Sequence, residues 1–191
     1  DGRRLFVSSD FDSRLYVWDR IPDRNNAAPD WVYDLKVPPW DNALWGRTFV
    51  LAGKTGVTIW EDLPLDGRLP DREYQGHIGG VQFQELSGVA LDDRYFYLSD
   101  GMAGRIYVWS GLPGPDQDPL VTIETGPAVA RLNSDGRYLS AVVNAGGGAP
   151  VRVWEVDGIA SGAAPKEVRS GSGFQMNLPG SAMTVDGRLL V

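Results

Sequence analysis

Four times in 191 residues the chain closes a short run on a β-branched residue followed by Trp. The copies are Tyr16-Val17-Trp18, Thr58-Ile59-Trp60, Tyr107-Val108-Trp109 and Arg152-Val153-Trp154, at steps of 42, 49 and 45 residues. A proline follows each Trp after 10 or 11 residues: Pro29, Pro70, Pro119 and Pro165. Three copies carry an earlier proline four residues past the Trp, at Pro22, Pro64 and Pro113. A period of this length, made of short apolar runs and Gly/Pro turns, is the mark of stacked β-units.

Outward from each Trp, the unit divides into four strands, a to d. Strand a is an apolar run ending in Asp, as in residues 88–93 and 182–187. Strand b follows a tight turn and an Arg: 4–7, 47–50, 94–98 and 137–139. Asp-Gly and Asp-Asp between apolar runs are hairpin signals, because these residues accept positive φ at low cost. Strand c ends in the Trp. Strand d follows the second proline: Trp31-Val32-Tyr33, Glu73-Tyr74, Leu120–Ile123 and Glu167-Val168. Strands a to c are apolar at nearly every position, as strands buried on both faces are. Strand d is more polar and its preceding loop is proline-rich, which suits an edge.

Four-stranded antiparallel units packed face to face around an axis make a β-propeller. The expected architecture is therefore all-β, one propeller domain over residues 1–191. The chain opens in strand b of one unit and closes in strand b of another, Asp186–Val191. That register is expected of about four and a half blades, a segment of a larger, six-bladed ring. Twenty-four Gly and 13 Pro sit between apolar runs at repeat spacing, which favours turns over disorder.

The formal charge of −7 repels phosphate backbones, so nucleic acid is not an expected partner. The absence of cysteine removes disulfides, thiolate-bound zinc and cysteine nucleophiles. It fits a bacterial cytoplasm, periplasm or exterior alike. No apolar stretch approaches the length of a membrane span.

The stretch Leu5-Phe6-Val7-Ser8-Ser9-Asp10, followed by Arg14-Leu15-Tyr16-Val17-Trp18-Asp19-Arg20-Ile21-Pro22, resembles bacterial NHL-repeat propellers. Asn177-Leu178-Pro179-Gly180-Ser181-Ala182 is similar to the lead into strand a in that family, and residues 86–90 repeat it more loosely. The second unit departs, with Gly53 where units one and three place Asp10 and Asp100. The fourth departs too, with a Gly-rich b–c loop after Asn144. The resemblance implies a propeller whose top face or central channel binds something. It implies no single chemistry, since such folds carry binding modules, lyases and lactonases alike.

Candidate chemistry is sparse. His77 is the sole histidine and, beside Gly76 and Gly79-Gly80, reads as a loop residue. Asp10 and Asp100 read as turn-capping carboxylates, with a calcium or substrate ligand as the sharper alternative. The four repeated Trp residues read as wedges between blades. Trp31, Trp40 and Trp45 break the repeat, and residues 37–45 are expected to join strand d to the next blade. Trp45 is read either as core or as a ligand platform on that join. The d–a joins of units three and five gather Gln82, Gln84 and Glu85, then Gln175 and Asn177. Side-chain amides offer both donors and acceptors, which suits a polar ligand. There is no Gly-x-Ser-x-Gly elbow. Glu61, Glu85 and Glu124 exist, but no spacing selects a catalytic pair.

Two functions follow. The first is a non-catalytic binding or structural module, without cofactor, that holds a protein or carbohydrate partner at its d–a loop face through Trp45, Gln82, Gln84, Glu85, Gln175 and Asn177. The second is a lactonase- or lyase-type enzyme with an axial divalent ion held partly by further blades. Open blade edges would also allow self-association.

Overall fold

The computed structural model describes residues 3–126, 129–143, 151–161, 163 and 165–171. Among them the chain is all-β, an arc of four successive antiparallel sheets arranged as propeller blades. Blade one holds β1 (Leu5–Ser9), β2 (Arg14–Trp18) and β3 (Trp31–Asp34). Blade two holds β4 (Pro39–Trp45), β5 (Thr48–Gly53), β6 (Gly56–Trp60) and β7 (Arg72–Gln75). A short hairpin, β8 (His77–Ile78) and β9 (Val81–Gln82), lies in the next join. Blade three holds β10 (Leu86–Leu91), β11 (Tyr95–Asp100), β12 (Arg105–Ser110) and β13 (Val121–Glu124). Blade four holds β14 (Val129–Ser134), β15 (Tyr138–Val143), β16 (Val151–Glu155) and β17 (Lys166–Gly171). The fifth unit expected over 182–191 lies outside the described residues.

Each sheet runs in simple sequence order, strand against next strand. The strands expected as b, c and d are all present. One expectation is corrected: residues 39–45 are not a join but β4, strand a of blade two, paired with β5 from Pro39↔Gly53 to Trp45↔Thr48. The sequence hid this strand because Pro39, Asp41 and Asn42 interrupt its apolar run. Strands β4, β10 and β14 stand side by side at the axis.

Three apolar clusters lie between consecutive blades, and period-two alternation deals each central strand's residues between two of them. In β5, Phe49 and Leu51 pack toward blade one, and Val50 and Ala52 toward blade three. In β11, Phe96 and Leu98 face blade two while Tyr95 and Tyr97 face blade four. This is why β5, β6 and β11 are buried at nearly every residue and show no alternation.

Trp60, Trp109 and Trp154 are 0%, 0% and 2% exposed, each facing the preceding blade. In three of the copies the indole N–H also finds its own c–d loop. Trp18 donates to the Ala27 carbonyl at 3.1 Å, Trp60 to Arg68 at 3.0 Å and Trp109 to Gln117 at 2.8 Å. The prolines of that loop have no N–H to give a ladder, so the indole supplies an anchor from outside it. Trp18 points away from blade two, with Leu5, Val7 and Tyr16, and is half-buried.

If the Trp is a wedge between blades, its cost of removal must follow its burial. Trp109→Ala is expected to cost about 3–5 kcal/mol, and Trp18→Ala distinctly less. Denaturant unfolding of the two variants beside the wild type measures both, and equal losses would remove the wedge role.

Candidate functional site

The blades share one polarity. Their b–c loops and d–a joins lie at one end of the strands, and their a–b and c–d turns at the other. The residues that fasten the first end differ between blades for a clear reason. Asp100 closes β11, fully buried, and accepts three amides: Gln84 at 2.7 Å, Glu85 at 3.1 Å and Ala103 at 3.0 Å. Its carboxylate thus ties both the incoming d–a join and the b–c loop. In blade two, Pro38 takes the place of Glu85 in register and has no N–H to donate. Gly53 stands where an Asp would be idle, and a Cβ there would run into the Pro38 carbonyl oxygen. Asp10, expected as the equivalent of Asp100, is instead exposed. Asp100 is a structural cap, as read; no ligand role is needed for it.

All three inner strands described carry a β-bulge near this end. The unpaired residues are Trp40 in β4, Ser87 in β10 and Arg131 in β14. A bulge breaks the alternation and re-aims a side chain, which is why bulges gather at rims and sites. Trp40 is 42% exposed and lies under Lys54 Nζ, 5.9 Å from the ring centroid. Lys54 in turn pairs with Glu85 across blades two and three, at 3.3 Å. Arg131 adopts φ +44°, in the left-handed region that residues other than Gly rarely enter.

Beside Trp40, Asp41 is buried in β4 and binds the two following blades. Its Oδ2 accepts the Val89 N–H at 3.0 Å, and its Oδ1 accepts Arg131 Nη1 at 3.0 Å. One carboxylate therefore links the inner strands of blades two, three and four. Burial raises the Asp41 carboxyl above its ordinary 3.8, and the Val89 amide and Arg131 guanidinium pull it back in part. Gly88 permits this crowding, since a Cβ there would stand 2.9 Å from the Arg131 nitrogen.

The expected site residues do not all meet. Glu85 lies at the join end beside Lys54, and Gln84 precedes it, exposed, with its N–H on Asp100. Gln82 sits apart in the β8–β9 hairpin, paired with His77. That hairpin's turn leans on blade three's c–d loop through Gly79 N–H to the Pro115 carbonyl and Gly80 N–H to Asp118. Trp45 is 40% exposed but closes β4 at the a–b turn, the opposite end from Glu85. Gln175 and Asn177 lie outside the described residues. The aromatic that does stand beside Glu85 is Trp40, with Lys54 between them. Lys54 and Arg131 escaped the sequence reading. Their signals were a lysine in the tight turn Gly53-Lys54-Thr55-Gly56 and an arginine inside the run Val129–Leu132.

Among the described residues, no three His, Asp or Glu side chains converge as metal ligands. The lactonase or lyase reading places part of its donor set on further blades, and the described residues add no cluster to it. Glu61, Glu85 and Glu124 are engaged separately, by Arg72, Lys54 and Arg105. No described helix is long and apolar enough to cross a membrane.

The fold and the rim together define a β-propeller. No family model matches the chain, and no curated protein does. Solved propellers do resemble it. Hsv2 of Kluyveromyces lactis is 14% identical, with a TM-score of 0.56 over 90% of this chain and 48% of its own. Sqt1 of Saccharomyces cerevisiae is 12% identical, with a TM-score of 0.62 over 89% and 45%. A humanized mutant of the Chaetomium thermophilum Polycomb Repressive Complex 2, bound to the inhibitor GSK126, is 13% identical, with a TM-score of 0.59 over 86% and 40%. At such identities the likeness is one of fold. The chain spans less than half the length of these structures.

The raised Asp41 carboxyl sets the sign of a pH effect. Folding takes up a proton between 3.8 and the higher folded value, so Asp41 makes stability fall as pH climbs through that window. Relative to Asp41→Asn, the wild type is expected to lose stability there and then level off. Unfolding free energies of the two proteins at pH values stepped upward from 3.8 show it; a difference independent of pH contradicts it.

Proposed function

We propose that this chain is a non-catalytic binding module that holds a protein partner on its b–c and d–a face, close to the axis. The observation that carries this reading is Trp40: a bulge places a large aromatic, 42% exposed, at the axial end of β4. An exposed indole flanked by an ion pair is the make-up of an interface anchor, an aromatic centre with a polar rim. Lys54, Gln84 and Glu85 supply that rim. Three observations support a protein rather than a carbohydrate partner. The exposed set is aromatic and ionic. Gln82 is taken up in the β8–β9 hairpin, where it pairs with His77. A resembling propeller is found in a multi-subunit assembly, the Polycomb Repressive Complex 2. The finer type of repeat is read as NHL-like, on Arg14–Trp18 with Ile21-Pro22.

The test is a selection of random peptides on the full chain. Binders are expected to lose more than about 1 kcal/mol on Trp40→Ala, and less on Lys54→Ala. Trp45→Ala, at the other end of the same strand, is expected to change nothing. Sensitivity to Trp45 alone would move the site to the opposite face.

A further inference from the structure

The two ion pairs at this rim share a bias. In the Lys54–Glu85 pair the lysine side chain is 52% exposed and the glutamate 29%. In the Arg131–Asp41 pair the arginine is 36% exposed and the aspartate 8%. In each pair the carboxylate is the less exposed partner and the cation the more exposed one. The Asp41 carboxylate is also held from behind by the Val89 amide and cannot swing out to meet a ligand without breaking that tie. Glu85 is fixed at its backbone, by its N–H on Asp100, and its carboxylate is held by Lys54 alone among the described contacts.

The cations keep unused capacity. A guanidinium offers five N–H donors in a fixed fork, and among the described contacts Arg131 spends Nη1 on Asp41. A lysine has three donors, and Lys54 gives one to Glu85 while its charge lies over Trp40. Arg131 is held in this position by a bulge and a left-handed φ, the kind of backbone outlier that gathers at ligand sites. Trp40 and Asp41 are adjacent in β4, so Lys54, Trp40, Asp41 and Arg131 form one continuous strip. All this sits on a chain of net charge −7.

We propose that the strip receives an acidic peptide segment of the partner. Its carboxylates take the free N–H donors of Arg131 and Lys54, and an apolar side chain beside them covers the open part of Trp40. The strip is too short, and the whole protein too negative, for a long polyanion, which the distant charge repels. This inference rests on the binding reading of the same face and adds the chemical class of the ligand.

The experiment is an array of short peptides with a central Leu flanked by Asp and Glu, each beside its Asn/Gln isostere. It is probed with the full chain and with variants. Acidic members are expected to bind about tenfold more tightly than their isosteres, and added salt to shrink that margin. Lys54→Gln, at a well-exposed position, should reduce the margin without touching the fold. Arg131→Lys should reduce it although the charge remains, because the fork is lost. Glu85→Ala should strengthen acidic binders, since it frees Lys54. If the isosteres bind equally well and still depend on Trp40, the face stands and the acidic class falls. Displacement by inorganic phosphate, where acetate has no effect, transfers the strip to phosphate ligands and also overturns the proposal. If no binding responds to Trp40→Ala, the face itself is wrong.

Discussion

Trp60 and Trp109 do two jobs at once, Trp154 shares the first of them, and the rest of the arc depends on both. Each indole fills the gap against the preceding blade, where a single sheet would otherwise leave an apolar face in water. In Trp60 and Trp109 the ring N–H then reaches out of the sheet and holds the c–d loop. Strand d follows that loop, so the outer edge of each blade is positioned by the residue that seals the inner packing. Blade-to-blade burial and within-blade order are therefore coupled. A repeat unit of this kind has little reason to be stable alone, because half of its buried surface belongs to a neighbour.

The axis is governed by a different chemistry. Apolar packing joins all the blades, but the inner strands are also tied by carboxylates taken out of water. Asp41 reaches across two further blades to Val89 and Arg131, and Asp100 gathers the amides of the incoming join. A buried carboxylate is costly unless its oxygens are hydrogen-bonded, and both oxygens of Asp41 and of Asp100 are. The bulges of β4, β10 and β14 belong to the same economy of space. Strands converging on an axis cannot all keep a full ladder; of the residues they expel, Trp40 and Arg131 reach the rim, while Ser87 ties β10 to the Val129 carbonyl. The candidate rim is thus a by-product of how the inner strands fit together.

Much of this architecture is legible in the sequence, because it is periodic. A Trp, a proline at fixed distance and an Asp turn recur, and the strands fall where those signals put them. The site is legible only in part, because it lives in the departures from the period. The proposed rim takes Glu85 from the join that the sequence marks, and Trp40 in place of Trp45, which lies five residues later in the same strand. Strand direction decides between them, and nothing local to Trp40 or Trp45 reports which end of β4 faces which loops. Asp10 and Asp100 look alike in sequence, yet one is exposed and the other caps three amides. The amides on Asp100 come from the d–a join and from its own b–c loop, a meeting that no pattern along the chain reports.

By itself, then, the sequence determined the repeat, the strand order within each blade and the wedge role of the tryptophans. These rest on interactions between residues close in the chain or repeated at a constant interval. Only the tertiary structure decided that Asp41 meets Arg131, 90 residues away, and that Lys54, Trp40 and Glu85 share one rim. Those meetings depend on the angle between blades and on single-residue bulges. A bulge shifts a side chain by one position of the ladder, and a one-residue shift is invisible to any pattern read along the chain.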